Sequence, residues 1–241
     1  MSKKDEEKIA KHLALFDGPD AQKKVLSHAK RYALCEKAQV KIFELPNAMD
    51  VLRAYIQHDP LCDKAELKMV AHPDAKKFLR EYIEEYSLCD KAEAAMVRLP
   101  DVAELVLDYV KLKDDVLGEE TDKLIFTLPN VKDIVNVLID KKLCLSDEAE
   151  ALMVNLPDNF ELFKKYVDNC YLGKSGQRAL LEKKDNKNYI LCYIEENSYS
   201  FEKDEFFMMM EHPDADELIE AYKYQCDDWI KEYNKRKKKA E

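Results

Sequence analysis

The sequence predicts an all-α protein made of tandem two-helix repeats, and three observations carry that expectation. Prolines recur at Pro19, Pro46, Pro73, Pro100, Pro129, Pro157 and Pro213, with gaps of 27, 27, 27, 29, 28 and then 56, twice 28. Near-identical phrases begin 27 residues apart, "LCDKAELKMV" at Leu61 and "LCDKAEAAMV" at Leu88. Only four glycines and eight prolines occur in 241 residues, too few for the many special turns of an all-β fold. A fixed period of this length announces stacked supersecondary units.

Each repeat divides at its proline. Before it, Leu88, Ala92, Met96, Val97 and Leu99 recur as Leu61, Ala65, Met69 and Val70, and as Leu34, Ala38, Ile42, Phe43 and Leu45. Spacings of four, four and one describe one face of a helix of about ten residues. Its expected start is Ser87 with Asp90 three residues later, and Asp59-Pro60 in the preceding repeat. After the proline, Val102, Leu105, Val106, Tyr109 and Val110 are matched by Ala75, Phe78, Leu79, Tyr82 and Ile83. The same pattern follows Pro46 and Pro129. Spacing of three, one, three and one is an apolar stripe on a second helix of about twelve residues. Proline suits the first helical turn, where its missing N–H costs nothing. The Asp or Asn after each proline suits the positive helix end. Asp185-Asn186 stands where the absent proline would fall.

Helices this short are marginal alone in water. Their stripes can be covered only by the next repeat, which is the logic of a solenoid. The expected architecture is therefore a right-handed α-solenoid of about eight two-helix repeats of 27–28 residues, forming one domain over 1–241. Residues 1–33 form an N-terminal capping unit, 34–171 the regular repeats, and 172–241 degenerate repeats with a C-terminal cap. The tract 171–189, with two of the four glycines, is the weakest copy, a drifted repeat or a hinge. Lys231, Lys235, Arg236, Lys237, Lys238 and Lys239 make a basic tail, read as a solvated end that complements the C-terminal pole of a final helix.

Charged residues make up 37% of the chain and its formal net charge is −10. Phosphate backbones and anionic membranes are repelled at long range by such a chain, so neither is the expected partner. The opening "MSKKDEEKIAKHLALF" has no long apolar core and is not a secretion signal. No apolar run approaches the ~20 residues that span a bilayer. The expected location is the cytoplasm.

In its two-helix unit, the chain resembles α-solenoids such as HEAT, armadillo and tetratricopeptide repeats. The resemblance is one of architecture alone: the 27–28-residue unit is shorter, and the marker residues of those families are absent. It implies an adaptor, scaffold or regulator that holds other macromolecules.

No residue pattern points to catalysis, a metal or a cofactor. The seven cysteines include no C-x-x-C pair. Equivalent residues of stacked repeats should lie ~8–10 Å apart, beyond disulfide reach. Cys35, Cys62 and Cys89 are thus expected as small buried apolar residues, while Cys144, Cys170, Cys192 and Cys226 share no such register. Tyr55, Tyr82, Tyr109, Tyr166 and Tyr222, each nine residues after its marker, are expected as a core ladder with hydroxyls at the solvent edge, rather than as a platform for bases. His72 and His212 share the phrase "HPDA" at the helix–helix turn, which suits a cap more than a metal pair. Trp229 is expected to pack the terminal helix onto the last repeat.

The informative residues are those outward on the second helices, which differ from repeat to repeat. They are Arg53, Gln57, Arg80, Glu84, Asp108, Lys111, Asn136, Asp140, Lys164, Lys165 and Asp168. If second helices line a concave face, this row is the recognition surface. Its mixed signs suit a protein or peptide partner. The strings Glu36-Lys37, Asp63-Lys64 and Asp90-Lys91 carry the same charges in each repeat and read as a solvated opposite face. The expected function is non-enzymatic protein binding, as adaptor, scaffold or inhibitor. A nucleic-acid-binding solenoid and an enzyme with an unrecognised groove site are the alternatives.

Overall fold

The computed structural model describes residues 2–183, 185–197, 201–222 and 227–240. Among them the protein is all-α, with no strand. The helices follow in pairs: α1 (Lys3–Ala14) with α2 (Ala21–Ala29), α3 (Glu36–Ile42) with α4 (Ala48–Tyr55), α5 (Asp63–Val70) with α6 (Ala75–Glu85), and α7 (Asp90–Val97) with α8 (Ala103–Leu112). Then come α9 (Glu119–Leu124), a 3₁₀ turn (Ile125–Thr127) and α10 (Val131–Asp140). They are followed by α11 (Asp147–Val154) with α12 (Phe160–Val167), α13 (Lys174–Glu182) with α14 (Lys187–Glu196), α15 (Lys203–Met210) with α16 (Ala215–Ala221), and α17 (Asp227–Ala240).

The chain divides into two compact halves, Met1–Leu124 and Ile125–Glu241. In the N-terminal half each first helix packs on the next first helix, through α1, α3, α5, α7 and α9. Each second helix likewise packs on the next, through α2, α4, α6 and α8. The C-terminal half repeats this scheme with α11, α13, α15 and α17 in one layer and α10, α12, α14 and α16 in the other. The tract 171–189 is an ordinary member of it, as α13 and the start of α14. Between the layers lie the side chains that the period selects, such as Ala65, Met69, Leu79 and Ile83, all buried.

Two local expectations are corrected. The helices α5 and α7 start later than Asp59-Pro60 and Ser87 suggest: Cys62 and Cys89 hold the N-cap positions. The prolines precede the second helices rather than entering their first turns. Pro46 is followed by the N-cap Asn47 and then α4; after Pro100 an extra residue, Asp101, adopts φ 47° before the N-cap Val102. Asp tolerates this left-handed region better than most residues, and the locked proline φ suits a turn as well as a helix start. His72 Nδ1 accepts the Asp74 N–H at 3.0 Å and His212 Nδ1 the Asp214 N–H at 3.2 Å, so both histidines serve the turn.

The tyrosines are core residues, but their hydroxyls do not reach the solvent edge. Tyr82 donates its O–H to Glu66 Oε1 at 2.8 Å and accepts the Leu61 N–H at 3.2 Å, while Glu66 Oε2 accepts the Cys89 N–H of the next repeat at 2.7 Å. The arrangement recurs: Tyr109 with Glu93, which accepts the Gly118 N–H, and Tyr166 with Glu150, which accepts the Gly173 N–H. Gln39 replaces the acid beside Tyr55, and Gln177 beside Tyr193. In the first repeat His12 fills the same slot, its Nδ1 accepting the Cys35 N–H at 2.9 Å. Each rung ties a first helix to its own second helix and to the entry of the next repeat. Burial pushes the phenols up, Tyr55 to about 12, and pushes the Glu93 carboxyl up against the hydrogen bonds that it accepts.

Removal of one whole repeat, residues 61–87, would set Gln39 opposite Cys89 N–H in the way it now faces Cys62 N–H, at 2.6 Å. The shortened protein is therefore expected to fold, with the same helicity per residue and a cooperative thermal transition. Loss of the cooperative transition in circular dichroism would contradict this.

The cysteines hold one surprise. Cys144 and Cys170 form a disulfide with Cα atoms 5.8 Å apart. The spacing argument fails here because the two residues are not equivalent. Cys144 directly precedes Leu145, whereas Cys170 lies two residues before the matching Leu172, so facing loops, not stacked helices, carry them. Cys35, Cys62, Cys89 and Cys192 are free. The slot of Cys62 and Cys89 is Gly173 before α13, because a Cβ there would lie 2.3 Å from Asp147 Oδ1. That oxygen accepts the Ser175 N–H at 2.8 Å. At the C-terminal end, Trp229 of α17 meets Phe206 edge-on, with centroids 5.6 Å apart, and Arg236 lies over Phe207. Cys226 and the side chains of Lys237, Lys238 and Lys239 lie outside the described residues.

Candidate functional site

The row of second-helix residues falls into local groups rather than one line. In the N-terminal half Arg80 and Glu84 of α6 face Asp108 and Lys111 of α8 across a groove of about 450 Å³ with an apolar floor of Ile83, Leu105 and Leu112. Leu112 is 50% exposed. Arg80 also lines a second groove of about 460 Å³ between α4 and α6, together with Arg53, Asp50 and Phe78. The grooves exist because consecutive second helices meet through their buried stripes and leave their outer faces apart.

Charge pairing separates the members of this group. Arg53 is held by Glu81 at 2.5 Å, which raises the guanidinium and lowers the carboxyl. Arg80 makes no ion pair or hydrogen bond among the described residues. Exposed and unpaired, it stands on the ridge between two grooves. Gln57 is exposed just beyond α4 and lines neither groove.

In the C-terminal half Lys165 of α12 reaches two other members of the row on α10, Asp140 at 2.7 Å and Asn136 at 3.1 Å. These three are thus committed to holding α10 against α12. Lys164 turns the other way, into a shallow groove of about 370 Å³ with Phe160, Cys192 and Glu195. Asp168 is exposed at the end of α12 and lies outside that groove.

Other groups offer little for chemistry. Burial raises the Cys62 thiol, and raises that of Cys89 to about 11, so neither supplies a thiolate near neutral pH. Among the described residues no three His, Cys, Asp or Glu side chains converge as metal ligands. The buried Glu66, Glu93 and Glu150 were not distinguishable from surface acids by type. A signal was nonetheless present: each stands four residues after its N-cap and sixteen before its tyrosine.

No family model, no curated protein and no solved structure matches the chain.

Proposed function

We propose that the protein is a non-enzymatic binding module that holds a protein or peptide segment on the outer face of its second helices, centred on the groove of Arg80, Glu84, Asp108 and Lys111. One observation carries the reading: Arg80, unpaired, flanks two adjacent grooves, one with an exposed apolar floor and both signs of charge on its walls. Apolar contact supplies affinity, and placed charges supply selectivity and orientation. A phosphate backbone would meet Glu84 and Asp108 on the same walls.

Charge reversal at Arg80→Glu together with Lys111→Glu is expected to weaken capture of partner protein from a host lysate by at least about tenfold, on the order of 1.4 kcal/mol. Both side chains are exposed, so the thermal midpoint should move by no more than about 2 °C. Unchanged capture would refute the groove; a large loss of stability would make these residues structural.

Among the described residues no helix is long and apolar enough to cross a membrane. We place the protein in the cytoplasm, and four free cysteines among the described residues support that reading. There the Cys144–Cys170 pair would be held reduced, and Cys144, which is exposed, would react with maleimide in rapidly quenched cells. A fully blocked Cys144 would assign the protein to an oxidising compartment instead.

A further inference from the structure

The N-terminal repeat holds a further cleft, of about 530 Å³, walled by α1 and α2. Lys4, Lys8 and Lys11 of α1 line it, at spacings that place them on one helix face. None of the three makes an ion pair or hydrogen bond among the described residues. Glu7 also lines the cleft, so its walls carry two net positive charges. Residues 1–33 contain eight Lys and Arg against five Asp and Glu, whereas the remainder contains 31 against 44. This cleft is therefore a positive site on an otherwise acidic chain.

Two histidines form its inner wall. His12 is 8% exposed, and its Nδ1 is occupied by the Cys35 N–H at 2.9 Å. Its proton must then sit on Nε2, which is a donor. The ring of His28 lies 5.1 Å away, edge-on, and its Nε2 is buried without a partner. Such a nitrogen is costly to leave unmatched. Burial, His28 and Lys8 all lower the His12 pKa, so the ring adds a directional donor rather than a charge.

We propose that this cleft binds a phosphate monoester carried on a side chain of a partner polypeptide, with the three lysines supplying charge, Nε2 of His12 supplying a donor, and the His28 ring backing it. The lining charge of two matches the −1.5 to −2 of such a group near neutral pH. The volume leaves room for the residue that bears it. A nucleic acid fits less well, because its backbone would continue onto the acidic remainder of the chain. The inference rests on the protein-binding reading only for what carries the phosphate, and it does not depend on the groove at Arg80.

The test uses the full chain and three probes at constant ionic strength: inorganic phosphate, one short phosphoserine peptide with its unphosphorylated counterpart, and oligodeoxythymidylate. Inorganic phosphate and the phosphopeptide are expected to shift the imidazole resonances of His12 and His28 saturably. The phosphopeptide should bind about tenfold more tightly than its counterpart. Lys8→Ala with Lys11→Ala, both on the exposed side of α1, should abolish the shifts without changing the circular dichroism spectrum. Arg80→Glu with Lys111→Glu should leave them intact, which separates failure of this site from failure of the groove. Equal binding of the two peptides, shifts that do not saturate or that survive the lysine changes, or tighter binding of the oligonucleotide would each overturn the proposal.

Discussion

Glu66→Ala is expected to lower the unfolding free energy by about 4 kcal/mol, among the larger effects of any single change in this chain. The carboxyl accepts two buried donors, the Tyr82 O–H at 2.8 Å and the Cys89 N–H at 2.7 Å. Alanine strands both. Each orphaned buried donor costs roughly 1–3 kcal/mol, and the vacated space adds to the loss. Glu66→Gln should stay within about 1 kcal/mol, because the protein already uses that amide. Gln39 donates Nε2 to Tyr55 at 2.9 Å and to the Leu34 carbonyl at 3.0 Å, while its Oε1 accepts the Cys62 N–H. Chemical denaturation of the two variants decides the matter: if alanine and glutamine cost the same, the rung is not what joins one repeat to the next.

The rung at Glu93 makes stability depend on pH. Its folded pKa is raised, chiefly by burial, so the folded state holds its proton more tightly than the unfolded chain. That contribution is complete below the unfolded pKa and is lost as pH rises through the raised one. Glu93→Gln removes the titration. Relative to it, the native protein should lose stability over that interval, and parallel pH–stability curves would contradict the assignment.

In the oxidised protein, Cys144→Ser is expected to cost about 3.5 kcal/mol, from the chain entropy released when a cross-link spanning this length is opened. The bond joins residues 26 apart in sequence, both in the C-terminal half. Hydrogen exchange should therefore quicken in α11, α12 and α13 and stay unchanged in α3 to α6. Reductant should bring the native protein to the level of the variant and leave the variant unaffected. Equal exchange in native and variant protein under oxidising conditions would mean that helix packing alone sets the stability there.

Much of the fold was legible along the chain. The proline period, the three-one-three-one stripe after Pro73 and Pro100, and the burial of Ala65, Met69, Phe78 and Leu79 all follow from local periodicity, which records which side of a helix meets its neighbours. The turn role of "HPDA" was legible for the same reason. The surface row was legible as a set of exposed positions, but not in its pairings. Arg53 pairs with Glu81, and Lys165 with Asp140, while Arg80 has no partner among the described residues.

The repeat is written along the chain, with its length, its two helices and the face each one buries, because those depend on residues three and four apart. The Tyr82–Glu66–Cys89 rung, the Cys144–Cys170 bond, the groove at Arg80 and the basic cleft beside His12 arise from packing instead. Each of these joins side chains that lie on different helices or in separate loops. Their meeting depends on how helices rotate and loops bend when packed, to within an ångström or so, and spacing along the chain does not encode that distance.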